Sequence, residues 1–295
     1  MKVIFIHGRD QQDTTPTQLR AEWLTAWEKG LAKSKLSLPS EDQVHFPYYA
    51  DTLHQAMLDL TQTKKGEATR SGSQGINEAQ ELDFTREYFY EIARATVSNV
   101  GEGQELKKMQ EAERGLLNWD PVQKLANFLD KKEIFGDYPL RKATRDVFVY
   151  LTQNHIKAAV NQIVEAAFDD TPCIVVGHSL GTIVAYLVLK NNPQFQVKKF
   201  ITIGSPLGIS SLAKYLEPPL VMPKSIRGEA SDRWHNFYDD RDFVALNPLD
   251  KKHFNNGFQI INSTHVKNHT PNRHGMTGYL DDALIAKTIY EAMFA

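Results

Sequence analysis

Lys2-Val3-Ile4-Phe5-Ile6 is an apolar run with no polar alternation after its lysine. A strand with one wet face alternates, whereas a strand covered on both faces does not, so this run predicts a strand inside a two-sided sheet. His7 to Pro16 is polar and turn-rich and reads as a loop. Leu19, Trp23, Trp27 and Leu31 then recur at every fourth residue, one stripe of a helix. Val44 to Tyr49 reads as a second strand, which Pro47 restricts to an edge or a strand end.

From about residue 61 to 140 the pattern changes. Charge density rises, and Thr69 to Gly75 reads as a flexible or exposed stretch. Helical spacings follow in Leu82, Tyr88, Phe89 and Ile92, in Leu106, Met109, Leu116 and Leu117, and in Val122, Leu125, Phe128 and Leu129. The last opens on Asp120-Pro121, an N-cap with proline at the first helical position. Nothing here reads as a strand, so residues 61–140 are expected to form a helical, cap-like insertion.

Alternation then returns. Ala143 to Phe168 reads as one long helix, and Pro172 precedes a short buried strand, Cys173 to Val176. Thr182 to Lys190 is helical. Phe200 to Ile203, Trp234 to Tyr238 and Phe258 to Ile261 read as strands, and Leu280 to Phe294 as a closing amphipathic helix. Strands separated by helical segments predict an α/β fold, a mostly parallel central sheet with helices on both faces. The length of 295 residues suits a single domain.

Composition narrows the partners. A net charge of −2, with acids and bases mixed throughout, gives no electrostatic reason to expect nucleic acid. No apolar run approaches the roughly 20 residues that cross a bilayer, and the first residues are too short for a secretory leader. Cys173 is the only cysteine, so no internal disulfide can form; a cytoplasmic location is expected. No nucleotide-binding glycine pattern stands at a strand end, and no cofactor is expected. His265 and His269 have the i, i+4 spacing of zinc ligands but lack the glutamate between them and run into Thr270-Pro271, so no metal is expected.

The chemistry-bearing segment is Gly177-His178-Ser179-Leu180-Gly181. G-x-S-x-G alone would occur by chance in roughly one chain of ten at this length, so its context decides. It lies between a predicted strand and a predicted helix, where a sharp turn would raise the serine hydroxyl and aim helix N–H groups at it. A serine hydroxyl is a weak nucleophile unless an imidazole takes its proton and an acid fixes the imidazole tautomer.

With Phe5-Ile6-His7-Gly8 and Ile203-Gly204-Ser205-Pro206-Leu207, this segment resembles the α/β-hydrolase superfamily, in particular its lipase and esterase branch. The resemblance implies Ser179 as nucleophile and an oxyanion hole formed by the N–H groups of Leu180 and Arg9. An arginine at that position departs from the family's usual apolar residue, and its side chain could bind an acidic substrate or pair with Asp10 or Asp13. His7 is read as structural and Ser205 as a strand-end residue. His178 is expected to contact substrate. The family order places the acid and then the base downstream of the serine. His274, in His274-Gly275-Met276-Thr277-Gly278-Tyr279-Leu280, fits the base better than His269 or His265. For the acid, Asp242 is preferred, with Asp239 and Asp240 open.

Tyr48, Tyr49, Tyr88, Phe89, Tyr90, Trp119, Phe128 and Phe135 could pack the insertion or line an acyl cleft, and Ser211 to Ser225 is a second possible wall. The expected activity is hydrolysis of a small-molecule or lipid-like carboxylic ester through an acyl-enzyme. A thioesterase, amidase or acyltransferase would use the same residues, and a non-catalytic binding protein is the alternative of a different class.

Overall fold

The first apolar run is strand β1 (Lys2–Ile6), with all five residues buried. The computed structural model describes residues 1–9, 11–63, 76–97, 100–112, 120–130, 140–227 and 232–294. Asp10, Thr69 to Gly75, Trp119 and Phe135 lie outside them. Strands β2 (Val44–His45), β3 (Cys173–His178), β4 (Val197–Ile203), β5 (Trp234–Phe237) and β6 (Ile261–Ser263) complete a sheet ordered β2-β1-β3-β4-β5-β6. Every pairing is parallel.

Side chains leave the sheet on opposite faces in turn, as pleating requires. Ile4, Ile6 and Val175 join one apolar cluster; Val3, Phe5, Ile174 and Val176 join the other. The second cluster is closed by α1 (Pro16–Ala32), α9 (Met276–Leu280) and α10 (Ala283–Phe294). In α1 the stripe Leu19, Trp23, Trp27 and Leu31 is buried as its spacing requires, and Thr15 and Gln18 form a capping box before it. The first cluster is covered by α2 (Ala50–Thr63), α7 (Asn154–Glu165) and α8 (Leu180–Asn191).

Within 61–140 the described residues other than Ile76, Asn77 and Val97 are helical: the end of α2, then α3 (Glu78–Thr96), α4 (Val100–Ala112), α5 (Asp120–Asp130) and the first residue of α6 (Leu140–Thr152). These helices share the sheet's own apolar cluster. Phe84 packs against Phe148 and edge-on to Tyr215, each at 5.3 Å, and Glu91 accepts from the Ser210 N–H at 2.9 Å. Tyr49, Tyr88, Phe89, Tyr90 and Phe128 are buried in this packing, as are Leu212 and Leu216 of the possible second wall. No helix among the described residues is long and apolar enough to cross a membrane.

Several element boundaries differ from the sequence reading, and α2 has no counterpart in it. Residues 143–168 form two helices, because Gln153 is extended (φ −96°, ψ 98°). α6 is buried at every position from Asp146 to Leu151, whereas α7 buries only Ile156, Val160 and Val164. β2 stops before Phe46-Pro47. The last strand starts at Ile261, because Phe258 is 53% exposed and closes a turn on the Asn256 side chain. The closing helix is split into α9 and α10.

A polar row runs across one end of the sheet. Thr202, Asn236 and Asn262 stand level on β4, β5 and β6. Thr202 donates to Asn236 at 2.8 Å, and Asn236 donates to Asn262 at 3.0 Å. Asn262 also accepts from the Leu249 N–H at 2.8 Å.

Candidate active site

The chain leaves β1 for β2 on one side and returns at β3 on the other. That reversal opens a crevice beyond the carboxyl ends of β1 and β3, where ligands bind in open α/β sheets. Gly8 and Arg9 follow β1, and Ser179 follows β3.

Ser179 turns the chain from β3 into α8 with φ 54° and ψ −128°. A non-glycine residue held there costs about 1–3 kcal/mol, which surrounding contacts must offset. Its carbonyl accepts from the Thr182 N–H at 2.9 Å and from the Thr182 hydroxyl at 2.7 Å, and its N–H donates to the Ile203 carbonyl. Gly181 allows a close approach of backbone to backbone, since a Cβ there would collide with the carbonyl oxygens of Ile6 and His7. The first turn of α8 is thereby pressed against the end of β1. Leu180 is the first residue of α8, so its N–H has no carbonyl one turn back within the helix.

Ser179 Oγ lies 2.7 Å from His274 Nε2. On the far side of the ring, Nδ1 lies 3.0 and 2.8 Å from the two oxygens of Asp242. An ionised carboxylate only accepts, so Nδ1 carries the hydrogen and the neutral ring presents Nε2 to the serine as an acceptor. Asp242 is buried, which alone raises a carboxyl pKa. The His274 imidazole, the Tyr279 hydroxyl at 2.7 Å and the Val244 N–H at 3.0 Å outweigh that effect and hold it below its ordinary value. Gly204, after β4 with φ 57°, leaves room for the pair: a Cβ there would stand 3.2 Å from Asp242 and 3.3 Å from His274.

The other aspartates stand apart from this relay. Asp239 is enclosed by the Arg241 guanidinium and the Asn268 N–H. Burial raises its pKa, but these donors outweigh burial and bring it to about 2. Asp240 is exposed, as are His265 and His269, which flank buried Val266 and Asn268 on a non-helical segment. No group of three or more His, Cys, Asp or Glu among the described residues could hold a metal.

Two further histidines brace the crevice. His7 stacks on Tyr49 at 4.0 Å; its Nδ1–H donates to the Gly8 carbonyl, and Nε2 accepts from the Tyr49 N–H. Burial lowers its pKa to about 4. His178 Nε2–H donates to the His274 carbonyl at 2.7 Å, and burial with the neighbouring His274 ring takes its pKa to about 3. Both rings are neutral at pH 7.

Sequence reasoning missed several supporting residues. The Arg9 side chain pairs with Asp146 of α6, Nε to Oδ2 at 2.7 Å, with both side chains buried. Nothing in the sequence links positions 137 residues apart. Tyr279 carried a visible signal, five residues after His274, but no role was attached to it. Asn268 is fully buried and donates to the Gly275 carbonyl, tying down the residue beside His274. Comparison with protein-family models, curated proteins and solved structures finds no match.

Proposed function

We propose that the chain is a single-domain serine hydrolase of the α/β-hydrolase fold, in its lipase and esterase branch, that cleaves carboxylic esters through an acyl-enzyme. The reading rests on one observation: a strained serine at a strand-to-helix turn, 2.7 Å from an imidazole whose other nitrogen is held by a buried carboxylate. Ser179 Oγ attacks the ester carbonyl while its proton passes to His274 Nε2. Asp242 holds the imidazolium that forms. The N–H groups of Leu180 and Arg9 receive the oxyanion, and one such donor is worth about a hundredfold to a thousandfold in rate. The intermediate then expels the alcohol, which takes the proton back from Nε2, and water releases the acid by the same steps. His178 serves this scheme by holding the His274 backbone. A small-molecule ester is the substrate, and the lone cysteine suits the cytoplasm.

A fluorophosphonate probe tests the scheme. Labelling of the parent at Ser179, with no labelling and no turnover of p-nitrophenyl acetate in folded Ser179→Ala, is the expected result. Unchanged turnover in that variant rules the mechanism out. Relative rates on matched thioester, ester and amide substrates identify the leaving group.

A further inference from the structure

A small cavity opens beside the crevice, lined by Gly8, Arg9 and Gln12 from the loop after β1, by Leu53 and Met57 from α2, and by Asp146 from α6. Its volume is about 30 Å³. Gly8, one of its walls, packs directly on the serine: a Cβ on Gly8 would crowd Ser179 Cβ at 3.0 Å. On the catalytic reading above, which this inference requires, the geometry points to this cavity as the acyl pocket, sized for chains of about two to four carbons.

The direction follows from where a reacting carbonyl must sit. Its carbon faces Ser179 Oγ, and its oxygen lies between the Leu180 and Arg9 N–H groups. The leaving oxygen must face His274 Nε2 to collect a proton. The acyl chain then leaves on the other side, past Gly8 and Arg9, toward α2 and α6. One water needs roughly 10–15 Å³ of such space, so this cavity takes about two waters, or two to three heavy atoms beyond the carbonyl. The wall is apolar where Leu53 and Met57 face it. Its most buried charges, Arg9 and Asp146, neutralise each other at 2.7 Å. Lys142 lines the cavity too but is exposed, so at the buried end, where Arg9 and Asp146 cancel, size is the discriminating property.

The test is a series of p-nitrophenyl esters from acetate to laurate, run on the full chain and on Met57→Ala. A methylene that does not fit costs tenfold or more, so kcat/KM should drop at least about tenfold between butyrate and octanoate. Met57→Ala should raise the octanoate-to-butyrate ratio by about tenfold. A ratio taken on one protein sample does not depend on the fraction folded. Octanoate turned over as well as butyrate by the parent, or an unchanged ratio in Met57→Ala, overturns the assignment. In either case fluorophosphonate labelling at Ser179 persists, and the hydrolase reading stands. Absence of both labelling and turnover defeats the two together.

Discussion

Replacing Asp146 by alanine removes the carboxylate that meets Arg9 Nε at 2.7 Å, where the two side chains are only 8% and 3% exposed. Breaking a buried pair by deleting one partner typically costs about 3–5 kcal/mol, because the remaining charge stays in a low-dielectric site. That is a large share of the 5–15 kcal/mol that holds an ordinary domain together. The loss should reach the chemistry as well. Arg9 presents one of the two proposed oxyanion donors, and displacing it removes about a hundredfold to a thousandfold from kcat. Urea unfolding of the parent, Asp146→Ala, Asp146→Leu, Arg9→Met and the double variant Arg9→Met/Asp146→Leu measures the coupling, the cycle being closed by the Leu and Met singles, with kcat on p-nitrophenyl acetate read in parallel. Exchanging both charges for apolar groups of similar volume should be nearly neutral for stability. A double variant whose loss equals the sum of the single losses, or an Asp146→Ala protein within about 0.5 kcal/mol of the parent, would refute the reasoning.

Ser179→Gly should be inactive yet more stable than the parent by about 1 kcal/mol, since glycine accepts φ 54° without strain; a lower urea midpoint contradicts this. Tyr279→Phe removes a donor to the Asp242 carboxylate and leaves the Asp239 N–H without its acceptor. It should cost about 2–4 kcal/mol of stability and lower kcat, and unchanged urea midpoints would exclude it. His7 and His178 have pKa values lowered by burial to about 4 and 3. Below their ordinary value of 6.5 the unfolded chain binds protons that the folded chain refuses. Stability is therefore complete above that value and falls as the pH drops from about 6 toward 4, by up to about 1.4 kcal/mol per pH unit for each ring. Urea midpoints that stay flat over this range would show that these rings are not held neutral.

The Ser179 turn was legible because its residues are local. The two glycines, the apolar strand before them and the helix after them all lie within residues 173–191. His274 could be ranked by its place before the last helix, but the choice among three aspartates could not be made from spacing. Asp239 and Asp242 differ by what encloses them, Arg241 and Asn268 in one case and His274 and Tyr279 in the other. Apart from Arg241, two residues from Asp239, these enclosing groups come from distant segments. The helix break at Gln153 leaves no mark in the sequence, because Val149, Ile156 and Val160 keep one helical spacing across it. Phe258 misled because an exposed aromatic at the start of an apolar stretch resembles a strand residue. The Arg9 departure was noticed, but its explanation lies on α6 and leaves no trace near residue 9.

The Thr202, Asn236 and Asn262 row has a consequence for catalysis at a distance. β6 is three residues long, too short for its backbone bonds alone to reject a neighbouring alignment. Sliding it by one residue would turn Asn262 to the opposite face and strand the Asn236 amide in the interior. The carboxylate departs from the loop after β5 and the imidazole from the loop after β6, so their relative height above the sheet depends on that alignment. On the proposed mechanism, three side chains remote from the serine thus set whether carboxylate and imidazole meet, and drift in this row would surface as lost turnover before it surfaced as lost fold.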